Sequence, residues 1–539
     1  MKIKSLLLFA LLLFPAFVFA ETGPLNTFKV IGYNLNLDIY NCFRAPFTRG
    51  FSASDEITIK STSQLKYVSL NASNKSLRIE KVEIAGEEFS HDNDILRISL
   101  DRVYLPDEIL KIKIFYKHND IRDDVFYAYE GMVFTDCEPE GARSWFPCVD
   151  RPSDKANSEV TAKVPANVKL CSNGLLEDSI NTGDTIYYHW VNRDPIATYL
   201  IAFIGKTNYN LDIFYWQDPE NSSIRIPIRF YWNDREETAG KKYIESTIPE
   251  VLNYFTKIFG EYPFEKVGFA TAGNGTGFPW GGMENQSIIT LCYNCWDEST
   301  VVHEFAHQWF GDLISPMTWS DIWLNEGFAT YSEALWYEHK YNYKYYKTEI
   351  ENFASIYRYS NPGWAISNSD WKYKMPDKNV LFDVSITYYK GACVLHQLRY
   401  VLGDSLFFKC IKSYATNPER RYGNATIKDF NDEVNKVSGE NYDWYFSSWI
   451  YQPNQPNYKN SYSIKPAGNK WMIHFNTSQK QTDFFPMPLD LKVNFYNGSD
   501  TMIRVMNEYN FEYYDFTFDK KPFNLVFDPG DNIVLKTVE

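Results

Sequence analysis

The sequence predicts a multidomain α+β protein: an N-terminal antiparallel β domain, a mainly helical middle domain and a small C-terminal β-sandwich. Three observations carry this. Apolar and polar residues alternate through roughly the first two hundred positions, the spacing lengthens to a helical period near residue 240, and short alternating runs return after the Pro/Asn-rich break YQPNQPNYKN at 451–460. A chain of 539 residues has room for about three domains at roughly 100–200 residues each, and 44% hydrophobic with 17% aromatic residues supplies core material for all of them.

The first twenty residues, MKIKSLLLFALLLFPAFVFA, stand apart from these domains. Lys2 and Lys4 precede an apolar run from Leu6 to Ala20 that Pro15 interrupts, which is short of the ~20 residues a bilayer-spanning helix needs. With Val18 and Ala20 placed for cleavage, residues 1–20 read as a secretory signal peptide cut near Ala20. The expectation is export to the periplasm or the medium, with no stable membrane anchor. Removing the segment takes the formal charge from −14 to −16, since it holds two lysines and no acid. That acidic balance argues against a nucleic-acid partner.

The N-terminal β domain is placed at 21–205. YNLNLDIY puts Leu35, Leu37 and Ile39 on one face, DEITIK and LKIKIFY repeat the alternation, and ATYLIAFIGK closes the run. The middle domain, 206–452, opens with the strand-like IRIPIRFYW. A helix follows over 234–259, where Ile244, Ile248, Val251, Leu252 and Phe255 keep 3.6-type spacing, and helical character is expected to continue to about residue 450. WMIHFN, LDLKVNFY and FNLVFD then mark the β-sandwich at 453–539. Among eight cysteines, Cys292 and Cys295 have C-x-x-C spacing, but no second such pair exists to build a structural zinc site, so they read as two thiols or a small-loop disulfide.

The stretch VVHEFAHQWFGDLISPMTWSDIWLNEGF, residues 301–328, carries the chemistry. His303 and His307 lie one helical turn apart, so both imidazoles project from one face toward a common point. A catalytic zinc takes three protein ligands and keeps one position open. Glu326 is the third candidate, early in a second predicted helix for which Ser320 is a plausible N-cap, with Gly311 and Pro316 in the connection. Glu304, between the histidines, suits a general base for an attacking water. One Zn2+ per chain is expected. Glu333, seven residues past Glu326, reads equally well as a support for the ligands or as a surface carboxylate.

Three further segments give a family resemblance. GGMEN at 281–285 resembles the G-x-M-E-N motif of the gluzincin zinc aminopeptidases of the aminopeptidase N and leukotriene hydrolase type, EGARSWFPCVDRPSDKA from 140 resembles their A-R-x-x-F-P-C-x-D-x-P segment, and TYYKGA from 387 resembles their Y-x-K-G element. The resemblance implies a thermolysin-like catalytic domain and a hydrolase that removes the N-terminal residue from peptides with a free N-terminus. It implies that Glu284 binds the substrate α-ammonium, that Gly281 and Gly282 bring backbone beside the peptide, and that Tyr388, rather than its neighbour Tyr389, stabilises the oxyanion. Where the family has T-Q-x-E, this chain has TDCE: Glu138 matches the amine anchor and Asp136 replaces the glutamine. An added carboxylate there could tighten the ammonium site, favour Lys or Arg as the first residue, or be protonated or turned aside. The resemblance also implies a short form, because after residue 455 only a small β domain follows where larger relatives carry a helical domain. N-glycosylation patterns occur several times, one at Asn285, a poor candidate inside GGMEN. Two other readings compete: a thermolysin-type zinc endopeptidase, which has no use for an ammonium anchor, and a catalytically silent peptide-binding protein.

Overall fold

The computed structural model describes residues 27–84, 88–273, 278 and 281–539, so the expected signal peptide lies outside the described residues. The fold class is the one the sequence predicts. In the N-terminal part a seven-stranded sheet runs in the order Leu175–Asn181, Thr185–Ala197, Lys155–Pro165, Phe28–Asp38, Ser52–Ser61, Ile109–His118 and Leu77–Glu83. Its pairings are antiparallel except Phe28–Asp38 against Lys155–Pro165, which is parallel. Alternation fixes which side chains face inward but not the direction of the neighbouring strand. Leu35, Leu37 and Ile39 are buried as expected, in one core with Val68 and Leu96 of a three-stranded sheet and Val133 and Phe134 of a four-stranded one.

The middle part combines helices with a five-stranded sheet, ordered Asn210–Gln217, Arg225–Trp232, Val267–Ala272, Ile289–Cys292 and Gly282–Met283. Helical character therefore does not run unbroken from residue 234 to 450: between 267 and 292 the chain forms three strands. Every residue of Val267–Ala272 is buried, so the strand shows no alternation to reveal it. Helix α1 spans Thr238–Phe259 and starts four residues later than its period suggests. Glu236 causes the delay. Its carboxylate accepts from Asn233 N–H (3.1 Å), Asn233 Nδ2 (2.6 Å) and Trp296 Nε1 (2.6 Å), which holds 233–236 in a turn. The five apolar residues of α1 named above are all buried against the sheet and the helices.

The C-terminal sandwich has a four-stranded and a three-stranded sheet around Ile473, Phe475, Leu491, Val493, Phe495 and Leu525. Phe485, Met487, Leu489 and Ile533–Leu535 join the core of the middle part instead, where Phe485 packs on Trp449 at 4.9 Å between ring centroids. No described helix is long and apolar enough to cross a membrane.

Candidate metal centre and active site

Helix α2 (Glu298–Ala306) begins where the Asp297 side chain accepts from Thr300 N–H at 2.9 Å. Val301, Val302, Phe305 and Ala306 bind it to the core, leaving His303, Glu304 and His307 for the cleft. The Nδ1 of His307 lies 3.0 Å from the Phe310 carbonyl oxygen, and that of His303 lies 2.9 Å from Glu333 Oε1. A carbonyl and a carboxylate only accept, so each Nδ1 carries a hydrogen, and Nε2 is the nitrogen each ring turns toward Glu326 for ligation. Glu333 thereby orients a candidate ligand and is not a bystander on the helix surface.

Helix α3 (Trp323–Lys340) supplies Glu326 from its first turn. Its lead-in corrects one expectation, since Ser320 is not the N-cap. Thr318 and Asp321 form a capping box around the 3₁₀ turn Trp319–Asp321, while the Ser320 hydroxyl pairs with Thr318 Oγ1 at 2.7 Å. Glu326 Oε2 stands 3.4 Å from the Nε2 of both His303 and His307. Those three donor atoms lie within 4.8 Å of one another. Two imidazole nitrogens, each ring held through its Nδ1 by a partner on the far side, and one carboxylate are a donor set that fits a zinc ion.

Beside this trio lies a second constellation. Carboxylate oxygens of Glu138, Glu284 and Glu326 also lie within 4.8 Å of one another, as do ligand atoms of Glu284, Glu304 and His307. Glu138 Oε1 and Glu284 Oε1 are buried without a hydrogen-bond partner. Burial, then the charges of Glu284 and Glu326, pushes the Glu138 carboxyl well above the usual range; burial raises Glu284 although His307 opposes it, and burial pushes Glu304 up to about 8. Four carboxyls facing two imidazoles at a largely buried site carry more negative than positive groups, so the site suits cations. Asp136, half-buried two residues from Glu138, adds to the negative field on it.

Gly282 lies in the edge strand Gly282–Met283, against the general-base candidate. A Cβ there would sit 2.4 Å from Glu304 Cγ, so only glycine lets this strand pass so close. Gly281 precedes it, and its carbonyl accepts from Cys292 N–H at 3.0 Å. Tyr388 belongs to a π-helical turn, Val384–Lys390, a form that recurs at functional sites. Its ring stacks on His303, with centroids 5.9 Å apart and planes 18° apart, whereas Tyr389 stacks on Phe353 at 5.1 Å. Burial and the charges of Glu326, Glu138, Glu284 and Glu304 raise the Tyr388 phenol well above its ordinary pKa, so it remains a donor. The glycine of TYYKGA explains the approach: a Cβ on Gly391 would lie 3.1 Å from Gly327 Cα and 2.6 Å from the Trp323 ring, so two glycines let this helix close onto α3.

The profile of the Peptidase family M1 domain matches residues 244–449, and that of the Peptidase M1 N-terminal domain matches 30–200. The chain belongs to peptidase family M1. Among curated relatives it is similar to Aminopeptidase M1 of Arabidopsis thaliana, 28% identical over 69% of this chain and 42% of the relative, and to the alanine/arginine aminopeptidase of Saccharomyces cerevisiae, 29% identical over 70% of this chain and 44% of the relative. The chain thus spans about half the length of the curated relatives it matches. Two solved structures share the fold. An M1 zinc metallopeptidase variant from Deinococcus radiodurans bound to a Tyr-Ser-Ala substrate covers 80% of this chain and 96% of its own at TM-score 0.69 and 22% identity. Legionella pneumophila aminopeptidase A in complex with aspartic acid covers 95% of this chain and 60% of its own at TM-score 0.78 and 16% identity.

In this M1 chain Cys292 and Cys295 form a disulfide, and the other six cysteines are buried thiols. Asn285 is 1% exposed, which removes it as a glycosylation acceptor. The Phe310 carbonyl, Gln308 and Asn173 are the contacts sequence reading missed. A hint of the first was available, because α2 stops at His307 and its next carbonyls must find partners outside the helix.

Proposed function

We propose that this chain is an exported zinc-dependent aminopeptidase acting on peptides with a free N-terminus. The observation that carries the reading is the adjacency of two sets of groups: a donor trio fit for zinc, and buried carboxylates with unpartnered oxygens fit for an ammonium. His303, His307 and Glu326 would hold the ion. Bound zinc supplies Lewis acidity toward water and a peptide carbonyl.

The other roles fall to the chain's own residues. Glu138 and Glu284, with Glu326 beside them, grip the α-ammonium and so fix which peptide bond reaches the metal centre. The edge strand Gly282–Met283 offers backbone groups to the extended peptide. Glu304 takes a proton from the attacking water and passes it to the departing amine. Tyr388 donates to the carbonyl oxygen as negative charge builds there. An internal peptide segment brings no cation to the anchors and leaves buried carboxylates unpaired, which disfavours endopeptidase action.

Glu284→Gln tests this directly. It keeps shape and removes charge, so KM for an aminoacyl reporter should rise by about 10-fold or more, the scale of a hydrogen bond to a charged group. An unchanged KM and kcat in the folded, metal-loaded variant would remove the anchor. Asp136 supports a finer proposal, a preference for Lys or Arg at the first position by roughly 3- to 10-fold in kcat/KM, as a partly solvated added charge gives. Leucyl or alanyl reporters turned over as well as lysyl and arginyl ones would refute that preference.

A further inference from the structure

The turn that carries Glu284 is gripped from both sides by buried primary amides. Gln308, 0% exposed and next in sequence to His307, donates through Nε2 to the Glu284 carbonyl (3.2 Å) and accepts through Oε1 from Ser287 N–H (2.8 Å). Asn173, in the N-terminal β domain and 2% exposed, donates to the carbonyls of Gln286 (2.7 Å) and Leu200 (3.0 Å) and accepts from Ala202 N–H (2.8 Å). Gly174 N–H adds a bond to Ser287 Oγ at 2.9 Å. Ser287 itself sits at φ +62°, a left-handed conformation that persists when surrounding partners impose it.

These contacts matter because the Glu284 carboxylate does little to locate itself. Its Oε1 has no partner and its backbone hydrogen bond is to the N–H of residue 284 itself, so the position of the charge follows the backbone of residue 284, and that backbone is set by the amides. Gln308 uses both ends of one rigid amide across the turn, and it stands one residue from a metal-ligand candidate on the same segment. Asn173 ties the same turn to the domain that supplies Glu138. We propose that Gln308 and Asn173 are positioning residues that set the distance between the ammonium anchor and the metal centre, and so hold the site in exopeptidase register. The inference rests on the aminopeptidase reading above.

The test uses the zinc-loaded full chain and two probes: leucine hydroxamate, which carries an α-amine and a chelating group, and 4-methylpentanoyl hydroxamate, which has the chelating group alone. The wild type should bind the amino probe about 30-fold more tightly, the scale of a hydrogen-bonded charge. In Gln308→Met and Asn173→Ala that gap should shrink to about 5-fold or less, while affinity for the amine-free probe and metal content hold within about twofold, because small displacements weaken directed contacts steeply. Should Gln308→Met fail to fold, Gln308→Glu keeps the acceptor for Ser287 N–H, loses the donor to Glu284, and should give an intermediate gap. A gap retained in the folded variants, or parallel weakening of both probes, overturns the proposal. A wild type with no gap strikes the ammonium anchor itself and takes the clamp with it.

Discussion

Replacing Glu304 by Gln should lower kcat by about 10²- to 10⁴-fold, the range for a positioned acid/base, with metal content and melting temperature unchanged. The expectation is specific because Glu304 touches the site without belonging to the trio His303, His307 and Glu326. Glutamine preserves the volume that packs against Gly282, whose missing Cβ would lie 2.4 Å from Glu304 Cγ, so the edge strand has no reason to move. What is lost is the capacity to accept a proton from water and return it to the leaving amine. Assay of the purified variant beside the wild type, with metal analysis on the same samples, checks this. Activity within about threefold of wild type would assign proton transfer to another group.

Tyr388→Phe should lower kcat by about 10²- to 10³-fold with KM nearly constant, as expected for one donor that acts on charge developing in the transition state. The ring stacks on His303 at 5.9 Å, and phenylalanine keeps that stack, so loss of packing cannot produce the effect. Tyr389→Phe is the internal comparison. Its ring packs on Phe353 at 5.1 Å, away from the carboxyl cluster, and its removal should leave kcat within about twofold, the usual range for a substitution outside the site. A larger kcat loss at Tyr389 than at Tyr388 would reverse the assignment.

Local geometry explains what the sequence made legible. His303 and His307 converge because i,i+4 spacing on a helix leaves them little choice, and Glu304 comes with them. Contacts across the chain are a different matter. Glu138 and Glu284 meet Glu326 through strands and turns from two domains, and no periodicity records that meeting; the motif resemblance supplied it. Val267–Ala272 escaped notice because a strand buried on both faces has no polar alternate positions. The 3₁₀ turn that leads into the helix carrying Glu326 starts from a capping box of Thr318 and Asp321, and Ser320, equally suited by residue type, is spent on Thr318. Tyr388 and Tyr389 are adjacent and chemically identical, so only the stacking of one on His303 and the other on Phe353 separates them. Gln308 and Asn173 are ordinary polar residues until the turn they hold is seen.

A zinc trio and an ammonium anchor in one cleft would confine cleavage to free N-termini. One measurement tests it most directly: mass spectrometry of a mixed-sequence decapeptide and its N-acetylated twin after incubation with the metal-loaded chain, with and without a chelator. The free peptide should give a ladder of products, each shorter by one residue from the N-terminus, with no cleavage of the acetylated twin and no ladder in the presence of chelator. Internal cleavage of both peptides at similar rates would contradict it and establish an endopeptidase.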